Sequence, residues 1–300
     1  MKTVTSISIA LASTALFSCK QKQAETPPVV EAVVEKIKEE VKVPTFELVW
    51  ETDTVFKTTE SCLYDAKRDV IYVSNVNNAP RTKDDNGFIS TIGKDGKLIK
   101  LDWATGMSAP KGMGLFEDKL YTTDIDAIVE IDANTGKILN RYLLEGALML
   151  NDITVDSQGV VYFTAMDTNK IYTLKEGEIT LWKGEGLNKP NGLLIEKDRL
   201  MVASLGEGIL KAYDLKTKES IQLAEGLGKG DGVVKLTTGN YVVSDWRGEI
   251  FHIKDGVATS LYDTKENNLQ TADIGIIPNE DIILIPTFFG NGVKAYKLTE

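Results

Sequence analysis

The chain has 300 residues, 34 Lys and Arg against 44 Asp and Glu, a formal net charge of -10 and 42% hydrophobic residues. That acidity argues against nucleic acid as a partner, because a phosphate backbone requires a basic footprint. A single histidine, His252, and two cysteines, Cys19 and Cys62, exclude His-rich or Cys-rich metal sites and any disulfide framework.

At the N-terminus Lys2 precedes an apolar run from Val4 to Phe17, too short to span a bilayer but suited to a secretory segment. It ends in Leu16-Phe17-Ser18-Cys19, which resembles a bacterial lipobox, although Phe17 is bulky for its place. The expectation is a lipoprotein signal over residues 1–18, acylation of the Cys19 thiol, and an exported protein held by acyl chains at the periplasmic side of the membrane. The outer membrane is the first choice and the cell surface the alternative. Residues 19–45, polar and carrying Pro27-Pro28, read as a tether. Cys62 is then an unpaired thiol in an oxidising compartment, expected to be buried and inert.

From residue 46 onward one phrase recurs. Its copies are Glu60-Ser61-Cys62-Leu63, Lys111-Gly112-Met113-Gly114, Asn151-Asp152-Ile153-Thr154, Asn191-Gly192-Leu193-Leu194, Asp231-Gly232-Val233-Val234 and Asp273-Ile274-Gly275-Ile276, in steps of 51, 40, 40, 40 and 42 residues. A period of about 40 to 45 residues rich in β-formers and turn residues marks propeller blades. The fold class is all-β, a six-bladed β-propeller of four-stranded blades over residues 46–300. In the third copy strands are predicted at Asn151 to Asp156, Val160 to Ala165, Lys170 to Leu174 and Glu178 to Trp182, with turns at Ser157-Gln158-Gly159, Asp167-Thr168-Asn169 and Glu176-Gly177.

The sixth copy holds only three strands before the chain ends. Phe46-Glu47-Leu48-Val49-Trp50 resembles the fourth-strand segment Glu178-Ile179-Thr180-Leu181-Trp182 and is expected to complete the last blade, closing the ring. The long first step places an insertion at Asn75 to Gly87, on the face where the innermost strands begin. It reads either as a decorative loop or as a partial lid.

Chain polarity sets Glu60, Lys111, Asn151, Asn191, Asp231 and Asp273 around one channel mouth. Turn chemistry alone would account for Asn191-Gly192 and Asp231-Gly232, but not for the copies without glycine. Converging carboxylates repel one another and raise each other's pKa. Lys111 offsets one, and a divalent cation would offset the others. Oxygen donors without His or thiolate suit a hard cation, Ca2+ best.

Glu60, Asn151-Asp152 followed by Tyr162-Phe163-Thr164-Ala165-Met166, Pro190-Asn191-Gly192 and Gly230-Asp231-Gly232 together resemble the SMP-30/gluconolactonase/LRE family. The resemblance implies a six-bladed propeller with one divalent metal, Ca2+ first and Zn2+ or Mn2+ as alternatives, held by Glu60, Asn191 and Asp231. It further implies Asn151 as a substrate-orienting group, Asp231 as general base, and hydrolysis of lactones or related esters. The chain departs from the family where Met149 stands in place of an arginine, and where the loop after Met166 is short. Lys111 and Asp273 are further substrate-side candidates. Arg247, in Asp245-Trp246-Arg247, could bind an anionic group beside Phe288-Phe289. The implied partner is a small molecule and the chain is expected to be a monomer. Ser-His-Asp catalysis is disfavoured, since His252 falls in a strand away from the mouth. The alternative function is a non-catalytic, lipid-anchored propeller that binds a small ligand or a protein.

Overall fold

The computed structural model describes residues 44–300, and the expectations for the signal segment, Cys19 and the tether lie outside the described residues. Six four-stranded antiparallel sheets follow one another around a ring. Blade three comprises Leu150–Val155, Val161–Ala165, Lys170–Lys175 and Glu178–Lys183, within a residue or so of the predicted bounds. Asx turns form several of the hairpins at the end away from the mouth: Asp156 Oδ1 accepts from the backbone N–H of Gln158 and Val160. Asp132 and Asp214 do the same for the residues two and three ahead of them.

The hydrophobic core is divided among the interfaces between blades. Tyr162, Ile171 and Trp182 of blade three pack against Leu193, Leu200, Val202 and Tyr213 of blade four. Trp182 meets Tyr162 and Tyr213 edge-on, with ring centroids 5.9 and 6.2 Å apart. Cys62, Ile71 and Val73 of blade one meet Ile277, Leu284 and Val293 of blade six. Cys62 is therefore buried at the seam where the ring closes, and burial pushes its thiol pKa well up, which keeps it protonated and unreactive.

The N-terminal strand completes that ring. Thr45–Glu51 pairs antiparallel with Val293–Thr299, Thr45 opposite Thr299 and Glu51 opposite Lys294. It forms the outer strand of a sheet whose other three strands come from the end of the chain. Trp50 Nε1 donates to Lys94 O at 3.0 Å, tying the strand to blade one as well. Without it the third strand of blade six would expose an unpaired edge. Deleting residues 46–52 is expected to lower the melting temperature by more than 10 °C, or to give insoluble protein, a loss of roughly 3 kcal/mol or more for a chain of this size. Thermal melting by circular dichroism checks it, and an unchanged transition would exclude this closure.

Candidate functional site

The innermost strands share a local irregularity. Ladder pairing with the second strand skips between Thr59 and Cys62, Pro110 and Met113, Leu150 and Ile153, Pro190 and Leu193, and Gly230 and Val233. Each skip contains the leading polar residue of the repeat: Glu60, Lys111, Asn151, Asn191 or Asp231. A break of this kind re-aims side chains at a sheet rim. It also deprives a backbone N–H of its partner, and in three blades a hydroxyl on the second strand supplies one. Ser61 N donates to Ser74 Oγ, Asp152 N to Thr164 Oγ1 and Gly232 N to Ser244 Oγ, each at 2.9 Å. In blade six the inner strand begins only at Gly275, leaving Asp273 ahead of it, where its N–H donates to Glu60 O at 2.9 Å.

The glycines of the repeat have a different cause from the one turn chemistry suggests. Gly112, Gly192 and Gly232 lie inside strands, and none has a positive φ. Each makes room for the next blade. A Cβ on Gly112 would stand 2.4 Å from Asp152 Oδ1, one on Gly232 2.5 Å from Asp273 Oδ1, and one on Gly192 1.7 Å from Asp231 O. The innermost strands thus converge so closely that a carboxylate from one blade occupies the space a side chain would need on its neighbour.

All six leading residues are buried, including Lys111 at 1% exposure. They are joined by Asp152, a carboxylate that the sequence presents only as the second residue of a motif. Its Oδ1 accepts from Ile153 N and its Oδ2 from Leu193 N, linking blades three and four. Asp273 accepts from Ser61 Oγ, linking blades six and one, and its carboxyl lies near that of Asp152. Burial pushes Asp273 up to about 7, against the lowering effect of the Ser61 and Asp152 hydrogen bonds. Burial and then neighbouring carboxylates also raise Glu60, Asp152 and Asp231 well above the usual carboxylate range.

An amide chain crosses the mouth. Asn151 Nδ2 donates to Asn191 Oδ1, and Asn191 Nδ2 donates to Asp231 Oδ1 at 2.7 Å. Two buried oxygens, Glu60 Oε2 and Asn151 Oδ1, have no hydrogen-bond partner. Orphaned oxygens of this sort are rare and fit a hard cation. Among the described residues no three of His, Cys, Asp and Glu gather closely enough to hold a metal by themselves. A cation here would therefore need amide oxygens beside Glu60 and Asp231, a donor set that suits Ca2+.

Lys111 sits beneath the rim of the mouth, with its Nζ donating to Ala109 O at 2.9 Å. Burial lowers its pKa to about 8, Glu60 and Asp124 oppose that shift, and Arg81 adds to it. Arg81 belongs to the insertion, which crosses the rim rather than hanging free. It is ion-paired with Asp167 on blade three, and Lys83 with Asp126 on blade two. Between this insertion and blade two a groove of about 670 Å3 is lined by Lys83, Asp85, Asp124, Asp126 and Arg141 among others. Met149 is half-buried at the blade-three mouth, where its carbonyl accepts from Met166 N at 3.1 Å. Arg247 does not point a free guanidinium at the site, because Nε and Nη2 donate to the buried Asp245 carboxylate. Trp246, Phe288 and Phe289 form an edge-on aromatic cluster on the same face, with Phe289 60% exposed. His252 lies in Glu249–Lys254, the third strand of blade five, with Nε2 2.9 Å from Glu300 Oε1. It takes no part in the mouth.

No family model matches the sequence, and no curated protein matches it. Many solved structures do. A gluconolactonase from Xanthomonas campestris superposes with a TM-score of 0.64 at 15% identity, over 81% of this chain and 87% of that one. A virginiamycin B lyase from Staphylococcus aureus gives 0.61 at 14%, over 85% and 100%. A structure of a nidogen/laminin complex gives 0.61 at 17%, over 73% and 84%. Likeness at these identities establishes the propeller, which enzymes and a nidogen/laminin complex share.

Gly192→Ala forces its methyl onto the Asp231 carbonyl, so it is expected to cost about 3 kcal/mol, at the upper end for overpacking, measured by denaturant unfolding. For Asp273 the folded pKa is raised above the unfolded one. Its contribution to stability is therefore fully present below about pH 4 and is lost as pH rises through about 7. In EDTA the melting temperature should fall between pH 5 and 8, and Asp273→Asn should flatten that slope. A melting temperature independent of pH in the wild type would contradict the shift.

Proposed function

We propose that the protein is a hydrolase of lactones or related esters that works at the channel mouth. The observation that carries this reading is the buried set Glu60, Asn151, Asn191 and Asp231, in which two oxygens lack partners. The gluconolactonase among the structural neighbours supports it by fold, and the sequence resemblance supports it at the same four residues. A divalent cation, Ca2+ first and Zn2+ or Mn2+ as alternatives, would be held by Glu60, Asn191 and Asp231 and would polarise a carbonyl oxygen when bound.

The chain's own residues do the rest. Asp231 is the proton acceptor: its carboxylate is buried at the mouth and held in place by Asn191 Nδ2, which donates to its Oδ1 at 2.7 Å. The water oxygen bonds to the acyl carbon, the ring C–O bond breaks, and the proton held by Asp231 passes to the leaving oxygen, giving an open hydroxy acid. Asn151, fixed by its donation to Asn191, has a free amide oxygen with which to orient the substrate or the attacking water. The Staphylococcus aureus virginiamycin B lyase is catalytically inactive when one of its histidines is replaced by alanine. In this chain the sole histidine lies buried in the third strand of blade five, away from the mouth, which argues against a comparable His-based reaction. The segment ending at Cys19, which resembles a lipobox, would place this activity at the periplasmic side of the membrane.

A lactone and aryl-ester panel with Ca2+, Zn2+, Mn2+ or EDTA, on protein lacking residues 1–19, tests the proposal. Metal-dependent turnover is expected, and Asp231→Asn should reduce it by about 100-fold to 10,000-fold while the fold is retained. A blank panel with tight metal binding would favour the non-catalytic platform instead.

A further inference from the structure

The mouth is chemically two-sided. Blades follow one another around the ring, each innermost strand touching the next and blade six touching blade one. Blades two and three therefore face blades five and six across the axis. On the first side stand Lys111 and, carried there by the insertion, Arg81. On the second stand Trp246, Phe288 and the exposed Phe289.

The two positive groups differ in how they are partnered. Lys111 is buried, yet its ammonium donates one hydrogen bond, to Ala109 O, out of the three it has to give. Glu60 lies close enough to interact, but no carboxylate comes within salt-bridge distance of Lys111 among the described residues. Arg81 is satisfied by Asp167, with Nη2 3.2 Å from Oδ1. That pair is exposed, 52% at the arginine and 27% at the aspartate, and an exposed pair stabilises little and exchanges readily. Asp167 directly follows Met166, whose sulfur lies 4.0 Å from Asn151 Nδ2. The guanidinium is thus parked at the edge of the place where Asn151 would orient a ligand.

Resting on the reading of the mouth as a ligand site, we propose that the ligand is an amphipathic anion. Its carboxylate, or a comparable single-charged group, is bound by Arg81 and Lys111 while its apolar part lies against Trp246, Phe288 and Phe289. Asp167 occupies Arg81 in the free protein and is displaced by the ligand anion. An arginine fork matches a carboxylate in two hydrogen bonds, and the buried ammonium adds a third with little desolvation left to suffer. The substrate class becomes a lactone or ester that bears a free carboxylate and a hydrophobic substituent. Arg81 is its specificity residue, reached from an insertion that only blade one possesses.

Calorimetric titration with 3-phenylpropanoate and with 3-phenylpropanol, a pair matched except for charge and neither hydrolysable, tests this without relying on turnover. The wild type should bind the anion at least tenfold more tightly than the alcohol. Arg81→Gln, at an exposed site where no core packing is lost, should remove that preference, and Lys111→Met should weaken the anion at least tenfold. Asp167→Asn should tighten it, because the internal competitor is gone, whereas a purely structural latch would give no gain. Equal affinities for the pair in the wild type, or an unchanged anion affinity in Arg81→Gln, would overturn the proposal. Anion preference without turnover of any ester ends the hydrolase reading and leaves anion recognition standing. Turnover of neutral esters with no anion preference has the opposite meaning.

Discussion

The whole site depends on how little room the six innermost strands leave at the axis. Backbone approaches backbone so closely there that Gly112, Gly192 and Gly232 have no space for a Cβ. Polar side chains can enter the channel only where the ladder is broken, and the breaks recur at the same register in five blades. Crowding and polarity therefore come together. The strands that must lack a side chain at one position offer an ammonium, an amide or a carboxylate at the position before it: Lys111, Asn191 and Asp231.

That crowding sets the electrostatics. Glu60, Asp152, Asp231 and Asp273 are buried within interacting distance, and a single buried lysine faces them. Ionising all four carboxylates in such a space would cost far more than the hydrogen bonds return. The protein answers by keeping protons on buried carboxyls, whose pKa values burial raises, and by a chain of amides from Asn151 through Asn191 to Asp231. The same arrangement leaves two oxygens, Glu60 Oε2 and Asn151 Oδ1, without a hydrogen-bond partner.

The rim adds direction to a ring that is otherwise close to symmetric. One insertion carries cations toward blades two and three, and loops of blades five and six present aromatic rings opposite them. Such asymmetry cannot arise from the repeat itself. It comes from the loops, which lie outside the repeated strands and are freer to vary than they are.

Blade number, the four-stranded build and the closing strand were legible because each depends on local pattern: period, alternation and turn residues. Phe46 to Trp50 could be recognised as an outer strand from its likeness to another outer strand. The six leading residues could be aligned for the same reason, since equal spacing in a propeller means equal height on the axis. What the sequence could not express was distance between blades. Glycines after Asn191 and Asp231 look like turn formers, and only the neighbouring blade reveals them as points of close approach. Asp152 looks like an ordinary strand residue until Leu193 and Asp273 are set beside it. Arg81 and Asp167 are 86 residues apart, and nothing in either segment announces the other. The sequence alone determined the propeller and the polar ring, because those follow from periodicity. Tertiary structure decided which carboxyls lie together, which arginine reaches the mouth and which is tied to Asp245, because those depend on packing between segments distant in the chain.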